Sequence, residues 1–276
     1  QNDLLTLPPS VALTTELNGI EGAETVIISV GSQSLRSLLQ EPPLQALRSK
    51  TVVLCMKGLE MDTGKRLSQI AGECLDPSNT VAVWLGPGHV QEFYRGIPNC
   101  MVIDSANEEV KRRLVQAFSS DLIRFYYGGD MIGNEVGAAA KNVVGIAAGF
   151  LDGVEMSSLK GALMSRGTRE VARLIKAMGG SELSAYGLCH LGDYEATVFS
   201  PYSHNRQFGE AFIRHQDFHR LAEGYYTVEA LMLLGRQYGV ELPICRAVHD
   251  ILYEHADPKA TLQSLLRRGL RAEFDD

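Results

Sequence analysis

One lysine in this chain stands where its neighbours are almost all small or apolar. Lys141 lies in the run Gly137-Ala138-Ala139-Ala140-Lys141-Asn142-Val143-Val144-Gly145-Ile146-Ala147-Ala148-Gly149. The pattern predicts a buried helix on which Gly137 and Gly145, four residues before and after the lysine, flank it without side-chain bulk. Glycines inside a helix cost about 1 kcal/mol each, and in return allow close backbone approach. An amine withdrawn from water there has a lowered pKa and can serve as a general base. The same residues also accommodate a lysine whose stem crosses apolar surface while its amine reaches water.

Other candidates are more dispersed. Lys57 directly follows the apolar run 51–55 and precedes Gly58, at a strand's C-terminal end, where ligands bind in open parallel sheets. Gly86-Pro87-Gly88 also follows an apolar run, and its backbone amides are available to a ligand phosphate or to a plain tight turn. Leu191-Gly192-Asp193 places one carboxylate in a later segment. Ser203-His204-Asn205-Arg206, followed by Gly209, offers hydroxyl, imidazole, amide and guanidinium groups suited to a small phosphate or polyol. Ser203 equally fits the start of a helix with solvated polar groups behind it. His215 and His219 have an i,i+4 spacing but no acidic or cysteine partner to complete a metal site, so the pair reads as a surface helix.

Two kinds of element must position these groups. Residues 25–30, 51–55, 80–85, 99–103 and 123–127 are short, β-branched and apolar, and the segments 33–40, 62–72 and 107–118 between them carry helical spacing. That alternation predicts an α/β region with a mostly parallel sheet. The character changes at Gly128-Gly129. From Ile132 onward only helical patterns remain, over 131–151, 158–178, 203–214, 226–238, 243–254 and 258–271. The chain therefore divides into an α/β domain over 1–127 and an all-helical domain over 128–276.

Composition narrows the function. The 276 residues carry 26 Lys plus Arg against 33 Asp plus Glu, a net charge of −7, which argues against nucleic acid as a partner. The five cysteines contain no CxxC pair and read as reduced thiols of a cytoplasmic protein. The longest apolar stretch, 143–151, falls well short of the ~20 residues of a membrane span, and no membrane insertion is expected.

Taken in order, the motifs Met56-Lys57-Gly58-Leu59-Glu60, Leu85-Gly86-Pro87-Gly88, Ala139-Ala140-Lys141-Asn142-Val143, Leu191-Gly192-Asp193, Ser203 through Gly209 and Ala222-Glu223-Gly224 resemble the soluble bacterial NAD(P)-dependent glycerol-3-phosphate dehydrogenases over residues 7–271. The resemblance implies a Rossmann-like cofactor domain, a helical catalytic domain and hydride transfer between sn-glycerol 3-phosphate and dihydroxyacetone phosphate with NAD or NADP. It makes Lys141 the catalytic base. It places Lys57, Gly86, Gly88, Asp193, Ser203, His204 and Asn205 at the substrate, and Lys57, Val90, His204, Leu221 and Glu223 at the cofactor. It implies a phosphorylated triose or glycerol as small-molecule partner, a role in glycerophospholipid biosynthesis and a homodimer.

The chain departs from the family pattern in four places. The opening strand, GxGxxG turn and helix that cradle the cofactor pyrophosphate are missing, so the sequence reads as N-terminally shortened. The run 26–30, apolar on both faces, is then expected to have its free edge covered by a rearranged segment or a neighbouring chain. Gly88 replaces a serine, His204 an arginine and Gly31 a proline; the second change exchanges a permanent cation for a group mostly neutral at pH 7. Two other functions fit the same residues: a related dehydrogenase acting on another hydroxy substrate, and a non-catalytic relative that binds a phosphometabolite or a protein.

Overall fold

The computed structural model describes residues 6–267 together with Gly269 and Glu273. The apolar runs form β1 (Thr25–Ile28), β2 (Thr51–Leu54), β3 (Thr80–Leu85), β4 (Asn99–Ser105) and β5 (Ile123–Tyr127), a five-stranded sheet in the order β1-β2-β3-β4-β5. All neighbours pair in parallel except β3 and β4, where Val83 faces Asp104 in an antiparallel register. Parallel pairing needs a crossover of a dozen or more residues, usually a full helix. The 86–98 connection holds only five helical residues and a left-handed Gly96, and the chain turns straight back.

The helices are α1 (Leu35–Leu39), α2 (Pro42–Gln45), α3 (Leu67–Cys74), α4 (Val90–Tyr94), α5 (Glu108–Phe118), α6 (Met131–Gly153), α7 (Lys160–Ala177), α8 (His204–Ile213), α9 (Glu223–Tyr238), α10 (Pro243–Tyr253) and α11 (Pro258–Leu266). Alternating strand residues feed two cores. Val52 and Leu54 pack with Leu35, Leu39 and Ile70 on one face of the sheet. Val53 packs with Ala82, Ile103, Leu114 and Phe125 on the other. A third core joins α6, α7, α9 and α10 through Phe150, Ile146, Leu174, Leu231 and Val248.

Some boundaries move. The helix expected over 62–72 begins only at Leu67, because Gly64 takes a left-handed conformation in a turn closed by Glu60 and Lys65. α9 starts at Glu223, three residues early. α11 stops at Leu266, and the expected extension through residues 268 and 270–271 lies outside the described residues. β1 is an edge strand, as expected, but only one of its apolar faces is covered: Val26 and Ile28 are buried, whereas Ile27 is 44% exposed. Among the described residues no strand covers its outer edge.

Helices α6 and α8 meet backbone to backbone. A Cβ at Gly149 would overlap the Arg206 carbonyl oxygen, and one at Gly209 would overlap that of Ile146. The expected reason for the α6 glycines holds, and it extends beyond the lysine's own turn.

Candidate active site

Lys141 sits midway along α6, a helix started by the Asp130 side chain, which accepts a hydrogen bond from the Gly133 N–H at 3.0 Å. Its residue is only 8% exposed, so the amine does not reach out to bulk water. The Lys141 Nζ donates to the Thr197 hydroxyl at 2.8 Å and lies 3.1 Å from Asp193 Oδ2. The Lys57 Nζ reaches the same carboxylate oxygen at 2.7 Å and donates to the Gly86 carbonyl at 2.5 Å. Two lysines thus share one carboxylate, leaving a local positive excess at the C-terminal ends of β2 and β3. Burial is the main reason the Lys141 pKa falls from 10.5 to about 8; Lys57 lowers it further, while Asp193 opposes the change.

The glycines predicted to flank the lysine clear the way for this contact. A Cβ at Gly145 would stand 2.7 Å from Thr197 Cγ2 and 3.2 Å from Asn205 Cβ, and one at Gly137 would stand 3.0 Å from His190 Cβ. The segment 190–199 can therefore lie directly on α6. It folds as a 3-10 turn, Leu191–Asp193, followed by a π-type turn, Glu195–Phe199. Thr197 passes its own proton to the Asp193 carbonyl at 2.7 Å, which keeps its lone pairs turned toward Lys141.

Two amides hold the surroundings together. Asn142 donates to the Lys57 carbonyl at 2.9 Å and accepts from Asn205 at 3.1 Å. Asn205 in turn accepts from the Gly224 N–H at 2.9 Å. Asn205 is thus joined to both α6 and α9. Ser203 caps α8, accepting from the Arg206 N–H at 3.3 Å, and the following His204 is exposed. The Arg206 guanidinium is turned away from these groups onto Asp152 and Glu210, each at 2.9 Å, and so leaves the polar cluster read from the sequence.

The glycine turn after β3 needs its glycines. Gly86 and Gly88 adopt φ of 126° and 147°, and a Cβ at Gly88 would press on the Phe93 ring at 2.8 Å. A serine does not fit this loop as it stands. His89 then ties the turn to the helical half, with Nε2 2.9 Å from the Ala196 carbonyl.

Two exposed apolar side chains stand at helix starts, one opening α4 and one just ahead of α9. Val90 is 59% exposed and Leu221 is 52% exposed. A Cβ at Gly31 would lie 3.8 Å from Leu221 and 3.9 Å from the Glu223 carboxylate. Glu223 accepts hydrogen bonds from the N–H and the hydroxyl of Ser32, with the first at 2.9 Å. Leu221 and the Glu223 carboxylate thus come together at Gly31, an apolar surface beside an acceptor of the kind that could hold the flat face and carboxamide of a nicotinamide ring.

Not every candidate converges here. His215 and His219 lie in the exposed segment after α8, and His215 has a left-handed φ of 53°, so the helix expected at that pair is absent. Sequence reading passed over Thr197, Asn142 and His190. The one signal available for Thr197 was its position four residues after Asp193.

His190 is completely buried. Its Nδ1 is 2.8 Å from the Gly137 carbonyl and its Nε2 is 2.7 Å from the Tyr194 hydroxyl. A carbonyl can only accept, so Nδ1 carries the proton and the tyrosine donates to Nε2. Burial is the main cause that lowers this pKa from 6.5 to about 4. Between those two pH values the unfolded chain binds a proton that the folded chain refuses. Stability should accordingly fall as pH drops through that window, by about 3 kcal/mol at most. Denaturation midpoints across the window check this, and a His190→Asn chain should lose less of its stability there.

The model for the NAD-dependent glycerol-3-phosphate dehydrogenase N-terminus matches residues 3–111, and that for the C-terminus of the same family matches residues 130–263. The chain is 37% identical over 280 residues to the glycerol-3-phosphate dehydrogenase (NAD(P)+) of Thermus thermophilus, covering 96% of this chain and 85% of that one. It is 34% identical over 278 residues to the protein of that name from Desulfitobacterium hafniense, with 98% and 79% covered. The crystal structure of glycerol-3-phosphate dehydrogenase from Coxiella burnetii superposes with a TM-score of 0.87 at 28% identity, over 95% of this chain and 82% of the other.

Proposed function

The chain belongs to the NAD-dependent glycerol-3-phosphate dehydrogenase family, and from that premise we propose which of its side chains interconvert glycerol 3-phosphate and dihydroxyacetone phosphate. The observation that carries the proposal is the buried Lys141 amine, 3.1 Å from a carboxylate it shares with Lys57. Bound NAD or NADP supplies the acceptor of the C2 hydride in oxidation and its donor in reduction. Lys141, neutral above about pH 8, takes the proton of the C2 hydroxyl; as an ammonium it returns that proton to the carbonyl oxygen in the reverse direction. Asp193 and Thr197 hold the amine in place.

Lys57, Gly86, Gly88, Asp193, Ser203, His204 and Asn205 line the substrate side. The positive excess of Lys57 and Lys141 over Asp193 favours a substrate that carries a phosphate. Lys57, Val90, His204, Leu221 and Glu223 face the cofactor. The α/β half, residues 1–127, supplies Lys57 and Val90 to the cofactor side, and the helical half, 128–276, supplies the base together with His204, Leu221 and Glu223. The five free thiols support a reducing, cytoplasmic setting, and the exposed Ile27 on the β1 edge supports a homodimer. Among the described residues no helix is long and apolar enough to cross a membrane.

The test is oxidation of NADH or NADPH by the full protein with dihydroxyacetone phosphate. Turnover is expected with that compound and not with unphosphorylated dihydroxyacetone. Turnover of an unphosphorylated 2-keto compound, with none of the phosphorylated triose, would overturn the reading in favour of another hydroxy substrate.

A further inference from the structure

His190 and Tyr194 bracket Asp193 in the chain, and neither has a place in the reaction described so far. Both are fully buried, with their rings 4.9 Å apart in an edge-to-face arrangement. The Gly137 carbonyl that His190 grips belongs to the α6 turn immediately before Lys141. A closed circuit results: from Lys141 through one helical turn to Gly137, across the imidazole to His190, along three residues to Asp193, and from its carboxylate back to the Lys141 amine at 3.1 Å. Tyr194 completes it by donating to His190 Nε2, and its hydroxyl lies 3.4 Å from where a Gly167 Cβ would be, so α7 closes over the pair through a glycine.

We propose that His190 and Tyr194 are positioning residues that fix the Asp193 carboxylate against the Lys141 amine. They touch neither substrate nor cofactor; they act through the turn that carries Asp193. The hydrogen-bond polarity demands an imidazole in one tautomer, because Gly137 supplies only an acceptor and the tyrosine can donate. Removing the tyrosine hydroxyl leaves one ring nitrogen buried and mismatched in either tautomer, which weakens the grip without emptying the site. A turn released from α6 lets Asp193 drift from Lys141 while Lys57 retains it.

The groups facing the Lys141 amine are Asp193 and Thr197 from the 191–199 segment, Lys57 from the loop after β2, and, further off, His89 from the turn before α4 and His190 itself. Asp193 is the one among them that favours the charged amine by its own charge. Loosening it must move the amine's titration to lower pH, in the direction that burial and Lys57 already push.

This inference rests on Lys141 being the base, but its main readout is independent of turnover. In the full protein labelled with 13C-lysine, the Lys141 Cε signal is identified by its loss in Lys141→Met and followed through a pH titration. The His190→Leu variant should titrate lower by about one pH unit. Its turnover for alcohol oxidation should fall about ten-fold, the size expected when a base is held less well. In His190→Asn, whose amide N–H can still reach the Gly137 carbonyl, both should return toward the original values, and Tyr194→Phe should fall between. A Lys141 titration unchanged in His190→Leu overturns the proposal. So does a shift that Asn fails to reverse, since that marks a simple loss of packing. If His190→Leu does not fold, an unchanged titration in Tyr194→Phe overturns it instead. A Lys141→Met protein that keeps its rate defeats the assignment of the base, and the titration still decides what His190 does.

Discussion

Replacing Lys141 with methionine should lower turnover by ~10²–10⁴-fold, the usual contribution of a positioned general base, while leaving the fold intact. Methionine keeps an unbranched apolar stem of similar length, so the space beside Thr197 stays filled. What disappears is the amine and its proton. Asp193 keeps Lys57 as its partner at 2.7 Å, so the substitution does not leave a buried carboxylate unpaired. Steady-state rates of oxidation across pH supply the second half of the check. The unmodified protein should require a deprotonated group with an apparent pKa near the value of about 8 held by Lys141, and the residual activity of the variant should lose that limb. A variant that keeps more than half the original rate would show that the buried amine takes no part in proton transfer.

The second large effect comes from a residue with no chemistry at all. Gly149→Ala should destabilise the protein by about 1–3 kcal/mol or more, the cost of overpacking a filled interior. The added methyl would meet the Arg206 carbonyl oxygen, with the Glu210 nitrogen 2.7 Å and the Gly209 Cα 2.9 Å away. All three are backbone, so no flexible side chain can give way. α8 would have to withdraw from α6 and take with it Ser203 and Asn205, whose amide links Asn142 to Gly224. A lower thermal midpoint and a raised KM for the phosphorylated substrate should therefore appear together in this variant. Gly161→Ala serves as the control: an added Cβ there meets nothing within 4 Å, and stability should hold or rise. Equal behaviour of the two variants would show that the contact between α6 and α8 is not tight.

Much of this arrangement was legible in local pattern. Five β-branched runs, a glycine-rich helix and a charge in the middle of it are statements about neighbours in sequence, and β2, β3, β5 and α6 follow them closely. Lys141 stood out for the same reason, because burial of its helix could be inferred without knowing what packs on it. The antiparallel β3–β4 pair was not readable from the strands themselves, since it depends on α4 being too short to serve as a crossover. Thr197 and His190 escaped for a different reason. Neither is unusual among its neighbours, and each gains its role only when the 190–199 segment comes to rest on Gly137 and Gly145. Arg206 misled because a guanidinium beside a serine, a histidine and an asparagine resembles an anion site until its carboxylate partners Asp152 and Glu210 are known.

The antiparallel turn of β4 makes α6 a ruler. β5 runs with β4 and against β1–β3, so the chain leaves the sheet at the rim opposite Lys57 and must climb back along it. The climb can be gauged at two rungs. Asn134 donates at 2.8 Å to Asp104, whose partner across the sheet is Val83, and Lys141 shares the Asp193 carboxylate with Lys57, which is itself bonded to Gly86. From Val83 to Gly86 is three strand residues, about 10 Å. From Asn134 to Lys141 is seven helical residues, also about 10 Å. Helix and strand measure the same height in different steps, and seven residues also complete close to two whole turns. The length of this stretch of α6 is thus set by translation and rotation at once. One residue more or fewer would change the height by only about 1.5 Å but swing the amine about 100° around the helix axis, off Asp193 and into the core.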